Sequence, residues 1–170
     1  WLHYLTEIRL RDNRLTDKSL PDLIDAFHHM PQLRILNLSE NKVDQRSSEA
    51  IREFLGSPSC RITDFSLVHA DVDDDECVKL AEKLYKNRWL RSLDLSNNLI
   101  GKSEPRKLVN SEYETGVDAI AALLDHSSSI QSLNLSQNFI GAFNNNSSDN
   151  SACRLSKSLG ENTTLRHLNL

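Results

Sequence analysis

The apolar residues of this chain switch between two periods, and the switch itself recurs. Leu5-Thr6-Glu7-Ile8-Arg9-Leu10-Arg11-Asp12-Asn13 reads L-x-x-I-x-L-x-x-N. The same nine-position frame returns as LRILNLSEN from Leu33, ITDFSLVHA from Ile62, LRSLDLSNN from Leu90 and IQSLNLSQN from Ile130, and begins again as LRHLNL from Leu165. Frame positions 4 and 6 are apolar in every copy, with mostly polar residues between them, so each frame predicts a short strand with one buried face. Helical spacing follows each time: Leu20, Leu23, Ile24 and Phe27; Ile51, Phe54 and Leu55; Cys77, Leu80, Ala81 and Leu84; Val117, Ile120, Leu123 and Leu124; Leu155 and Leu159. Thr16-Asp17, Asp73-Asp74-Asp75 and Ser147-Ser148-Asp149 precede the first, third and fifth of these stretches. Such residues cap free amides and suit the positive end of a helix dipole.

One strand, one turn and one helix cannot bury an apolar side alone, but a stack of such units can. The predicted fold is therefore an α/β solenoid, a horseshoe arc with a parallel sheet on the concave side and helices on the convex side. It comprises about five and a half repeats in a single domain over 1–170, starting near residues 5, 33, 62, 90, 130 and 165. Both ends fall inside a repeat, so further segments of a longer chain are expected on either side. The first three intervals are 28, 29 and 28 residues and the next two are 40 and 35, which locates insertions at 101–116 and 142–150.

This pattern resembles the leucine-rich repeat family, and the 28-residue period with a helical second half resembles its ribonuclease-inhibitor-like subclass. The family's asparagine position falls on Asn13, Asn41, Asn98 and Asn138, while the third copy has Ala70 there. A carboxamide both donates and accepts, so a ladder of them satisfies backbone groups where the chain leaves each strand. Ala70 predicts a missing rung.

Positions 3, 5 and 7 are expected on the concave face. They supply Glu7, Ile35, Asp64, Ser92, Ser132 and His167, then Arg9, Asn37, Ser66, Asp94, Asn134 and Asn169, then Arg11, Ser39, Val68, Ser96 and Ser136. Most of these are what the repeat shows by default. Arg9, Arg11, Ile35, Asp64, Val68, His69 and Asp94 stand out as partner-contact candidates. Arg34, Arg91 and Arg166 share position 2 in alternate repeats, where they offer a basic rim, although such arginines are more often solvated or paired with nearby carboxylates. Both insertions lie between the asparagine turn and the helix, hence on one rim, and loops on a rigid scaffold often carry recognition. Leu108, Val109 and Tyr113 are the candidate anchors of the first.

Composition narrows the function. A net charge of −4 gives no bulk attraction for nucleic acid. No apolar run approaches the roughly 20 residues of a membrane span. Cys60, Cys77 and Cys153 have neither metal spacing nor an even count, which fits a reducing, intracellular and cytoplasmic setting. No phosphate loop, dinucleotide fingerprint, nucleophile elbow or H-E-x-x-H occurs. The acidic run from Asp71 to Asp75 lacks the glycine and closing glutamate of a calcium loop. The expectation is a protein–protein interaction scaffold without cofactor, metal or catalysis. A second reading, implied by the resemblance, is regulation of a small GTPase in the manner of Ran GTPase-activating proteins, although no residue here maps onto such a site.

Overall fold

The computed structural model describes residues 4–102, 112–127, 129–141 and 151–170. Strands and helices alternate: β1 Glu7–Arg9, α1 Leu20–Phe27, β2 Ile35–Asn37, α2 Gln45–Gly56, β3 Asp64–Ser66, α3 Asp74–Leu84, β4 Ser92–Asp94, α4 Gly116–His126, β5 Ser132–Asn134, α5 Ser151–Glu161 and β6 His167–Asn169. The six strands pair in chain order and in parallel. Their register joins equal frame positions, so Glu7 lies opposite Ile35, Ile35 opposite Asp64, and Asp64 opposite Ser92. The predicted α/β solenoid is the observed fold. Strands sit roughly 4.8 Å apart and helices about 8–10 Å apart, so a stack of such units bends with its sheet inside.

Frame positions 1, 4 and 6 build the core. Leu33, Leu36, Leu38, Ile62, Phe65, Leu67, Leu90, Leu93, Leu95, Ile130, Leu133 and Leu135 are all at most 3% exposed. Ile24, Ile51, Leu84, Ile120 and Leu123 close over them from the helices. Each such side chain contributes about 1.5–3 kcal/mol by leaving water.

The asparagines act between repeats. Asn41 Oδ1 accepts from the amides of Asn13 and Leu15 at 3.1 and 3.0 Å, and its Nδ2 donates to the carbonyls of Leu10, Leu38 and Ser39. Asn98 repeats this toward Ala70, Val72 and Leu67, and Asn138 toward Ile100 and Leu95. Each rung therefore ties its own turn to the one before it. Ala70 is buried and carries only a methyl, so the turn of the second repeat receives no carboxamide from the third.

Helix starts depart from the sequence expectation in one place. Asp44 and Asp73 accept from Ser47 and Glu76 amides, and Thr115 forms a reciprocal capping box with Asp118. Thr16-Asp17, by contrast, does not cap α1. That helix begins at Leu20 behind Ser19, without a side-chain cap, because a turn from Thr16 to Ser19 and a proline at its start set it later. Ser147, Ser148 and Asp149 lie outside the described residues.

Frame position 8 is left-handed in five copies: Asp12, Glu40, His69, Asn97 and Gln137 have φ between 50° and 58°. None is β-branched, the class that conformation disfavours most. Gln137 is exposed and serves as the probe. Gln137→Val is expected to lower stability by about 1–2 kcal/mol and Gln137→Gly to leave it unchanged or slightly higher, read as urea midpoints. Equal midpoints for the two variants contradict the strain argument.

On the convex side α2 and α3 are joined by charge. Glu76 meets Ser48 and Arg52 across the interface and Lys79 one turn along at 2.8 Å, while Lys83 reaches Glu53 at 2.6 Å. Burial pushes the Glu76 carboxyl up, but the hydrogen bonds from Lys79 and Ser48 and the charges of Arg52 and Lys79 prevail, so it sits below the usual range.

Candidate binding surfaces

The inner face is quieter than the sequence columns suggest, because the strand ends consume much of it. Asn37, Asp94 and Asn134 at position 5 each accept from the amide two residues on, at 3.0–3.1 Å. Asp94 also takes the Ser96 hydroxyl at 2.7 Å. Position 7 was expected to face the concavity, yet Ser39 and Ser96 are buried and Val68 and Ser136 half-buried. The chain turns there, and the strand ends at position 5. Ser39 Oγ accepts from the Val68 amide at 3.0 Å, which stitches neighbouring turns.

The remaining non-generic residues gather in the first three repeats. Arg9 pairs with Glu7 on the same strand, and Arg11 crosses to Glu40 of the next repeat. Hydrogen bonding to Glu40 and its charge raise the Arg11 guanidinium above its ordinary value. Ile35 is half-buried and lies in register between two carboxylates, Glu7 on β1 and Asp64 on β3. Asp64 is exposed and accepts from Thr63 Oγ1 at 2.7 Å. His69 is exposed beside Val68, at the left-handed corner.

The insertion anchors have different fates. Leu108 and Val109 lie outside the described residues, as do most of 101–116 and all of 142–150. Tyr113 is half-buried, and its hydroxyl meets that of Tyr85 just beyond α3. Burial, followed by this hydrogen bond, raises the Tyr85 phenol. Tyr85 also stacks on His126, with ring centroids 5.4 Å apart. Tyr113 thus returns against the helices and helps line a recess of about 280 Å³ between α4 and α5, with Asp118, Arg154 and Glu161. There the buried Asp118 Oδ1 has Arg154 at 3.7 Å.

Sequence reasoning passed over two features. Asp74 was read with its neighbours as helix capping, but its Oδ1 accepts from the amides of Gly101 and Gly116, the two feet of the first insertion, at 2.9 and 2.7 Å. Trp89 sits just before a frame, where no column was drawn, and is 45% exposed with the Arg61 guanidinium 4.8 Å from its ring centroid. A glycine at each end of the insertion and a tryptophan in a chain with only two were the available signals. Among the described residues, no His, Cys, Asp and Glu grouping fits a metal ion, and no helix is long and apolar enough to cross a membrane.

Comparison with known proteins agrees with this architecture. A family model described as "Leucine Rich repeat" matches residues 2–20 and 86–103. The ribonuclease inhibitor of Sus scrofa is 29% identical over 104 residues, covering 61% of this chain and 23% of its own length. That of Mus musculus is 28% identical over 112 residues, covering 66% and 25%. The chain therefore spans about a quarter of the relatives it matches. A solved structure titled leiomodin-1 actin-binding site 2 superposes with a TM-score of 0.57 at 20% identity, covering 98% of this chain and 70% of that one, a likeness of fold. In sequence and fold the chain is similar to leucine-rich repeat proteins, the ribonuclease inhibitors among them.

Proposed function

We propose that this chain is a protein-binding scaffold whose partner docks on the first three repeats, on the concave sheet through Arg9, Ile35 and Asp64 and at the strand exits beside it through Arg11, Val68 and His69. The supporting observation is Ile35, an apolar side chain on an otherwise polar inner face, set in register between Glu7 and Asp64. An apolar contact ringed by charges is the arrangement that gives interfaces both an anchor and a register. Asp94 is a secondary contact, since Ser96 already engages it. Leu108 and Tyr113 of the first insertion add a contact from the rim. The repeat family and its non-catalytic relatives, the ribonuclease inhibitors, support a binding role over an enzymatic one.

The test is quantitative capture of partners by the full-length protein, comparing the native form with the pair Ile35→Asp and Val68→Asp and with deletion of 103–115. The pair is expected to reduce recovery by about tenfold or more, as loss of a central anchor does. The deletion reduces it less. Undiminished recovery by the double variant overturns the concave reading. A GTP hydrolysis assay with small GTPases separates the regulatory alternative, which acceleration would favour.

A further inference from the structure

The rim where the strands begin is charged unlike the rest of the chain. Five connections lead from a helix into a strand there: 28–34, 57–63, 85–91, 127–131 and 162–166. Together they hold six Lys or Arg residues (Arg34, Arg61, Lys86, Arg88, Arg91 and Arg166) and none of the chain's 24 Asp and Glu. The connections on the opposite rim, from strand to helix, hold ten acidic residues against seven basic ones. In a chain of net charge −4, the connections along this edge thus hold no carboxylate of their own, and Asp125 and Glu161 at the ends of α4 and α5 border the last two.

Helix ends explain part of this. The C-terminal ends of all five helices face this rim, and their negative dipole ends favour cations. Arg34 and Arg61 are instead engaged by the connections themselves, since Arg34 Nη1 donates to the Pro31 and Leu33 carbonyls and Arg61 Nη1 to those of Pro58 and Cys60. Arg88 and Arg91 do not. Both are exposed, and among the described residues neither guanidinium hydrogen-bonds or pairs with a carboxylate. Between them Trp89 holds its ring in solvent, stacked on Arg61. Its backbone is fixed, because Asn87 Oδ1 accepts from the Trp89 and Leu90 amides at 2.8 and 2.9 Å while Asn87 Nδ2 donates to the Leu55 carbonyl at 2.8 Å. An aromatic ring on a fixed backbone, beside arginines with no internal partner to give up, is the combination of residues that dominates interfaces.

From this geometry we infer a second docking surface on the strand-start rim, built on Arg88, Trp89 and Arg91 with Arg61 behind them, that binds an extended acidic peptide segment of a protein partner. It rests on the reading of the chain as a protein-binding arc but uses a different edge. The surrounding negative charge disfavours a long polyanion such as RNA, whose field extends beyond the patch, whereas a short run of Asp and Glu needs only the cations it touches. The position-2 backbone steps from strand to strand here, with the Arg91 amide donating to the Thr63 carbonyl at 2.7 Å and that of Thr63 to Arg34 at 2.8 Å. Arg34 and Arg91 therefore lie on one line across the strands, with Thr63 between them.

The experiment uses the whole chain and a labelled twelve-residue peptide of alternating Glu and Ser, followed by fluorescence anisotropy at low salt. A Lys–Ser peptide and a single-stranded RNA of similar length serve as comparison probes. The acidic peptide is expected to bind in preference to both and to weaken steeply with salt. Arg88→Glu with Arg91→Glu, exposed changes whose fold is checked by circular dichroism, is expected to reduce affinity at least tenfold. Trp89→Ala is expected to reduce it severalfold without changing the salt slope. Ile35→Asp with Val68→Asp leaves peptide binding intact, so failure of the concave reading does not touch this one. No acidic-peptide binding, equal binding by the charge-reversed variant, or tighter binding of RNA overturns the inference.

Discussion

Asn98→Ala is expected to lower the stability of the chain by about 3–5 kcal/mol. The side chain is 3% exposed and makes five hydrogen bonds. Its Oδ1 holds the amides of Ala70 and Val72 at 3.0 and 3.1 Å, and its Nδ2 reaches the carbonyls of Leu67, Leu95 and Ser96 at 2.8–3.2 Å. Truncation strands two buried donors of the preceding repeat, each costing about 1–3 kcal/mol, beside carbonyls that lose a donor. In a stack where each repeat leans only on its neighbours, that loss falls on the interface between the third and fourth. Asn98→Asp restores the acceptor but turns a second oxygen toward three carbonyls, so it is expected to lose nearly as much. Asn13 is the control. It is exposed, and its carboxamide donates to the Arg11 carbonyl at 2.9 Å. Asn13→Ala is expected to cost less than about 1 kcal/mol. Urea midpoints at constant m-value measure all three. If Asn98→Ala and Asn13→Ala fall within 1 kcal/mol of one another, the rungs are not what couples the repeats.

How much of this was legible depends on what each feature needs. The strands, the helices and their order follow from hydrophobic period alone, because burial is decided one residue at a time and the frame recurs. The asparagine rungs follow as well, since a polar residue fixed between apolar ones must find backbone partners. At position 7 Arg11 stays exposed while Ser39 and Ser96 are buried, because period-two alternation does not continue past the point where the backbone turns. That turn is made by the left-handed residue at position 8 and the Asn37, Asp94 and Asn134 side chains at position 5, and neither is an apolar signal. A second periodic device was missed for the same reason. Asn87 and Asn162, three residues before their frames, each accept from the amide just before the next frame and from the one that opens it, and Ser127 does so with its hydroxyl. Within the binding surfaces, the sequence could rank side chains by novelty but could not see that Tyr113 folds back to Tyr85. That contact joins residues 28 apart and depends on how an irregular segment returns.

Asp74→Ala is the second large effect expected, and its direction separates capping from clamping. Asp73 is the residue that caps α3, taking the Glu76 amide at 2.9 Å. Asp74, one step on, is 1% exposed and receives the Gly101 and Gly116 amides from the following repeat. Those two amides bracket the inserted segment, so one carboxylate oxygen holds both of its feet. The glycines are what let them come so close. A Cβ on Gly116 would stand 2.8 Å from Cys77 Cβ and 3.1 Å from the Asp74 carboxylate, and Gly101 has φ +79° with the Phe139 carbonyl oxygen 2.6 Å from where a Cβ would be. Losing two charge-assisted bonds and leaving both buried amides unpaired is expected to cost about 3 kcal/mol or somewhat more. Asp74→Asn keeps an acceptor of the same shape and is expected to cost about half as much. A mere cap substitution costs about 1 kcal/mol and acts on its own helix. The distinguishing readout is therefore local. Tryptic cleavage between Gly101 and Gly116 is expected to accelerate at least tenfold in Asp74→Ala under conditions where the chain stays folded, since the two feet at Gly101 and Gly116 are then no longer held. Asp73→Ala serves as the capping control and leaves that cleavage rate unchanged. Equal acceleration in both variants would mean that Asp74 acts through the helix start and not through the insertion it spans.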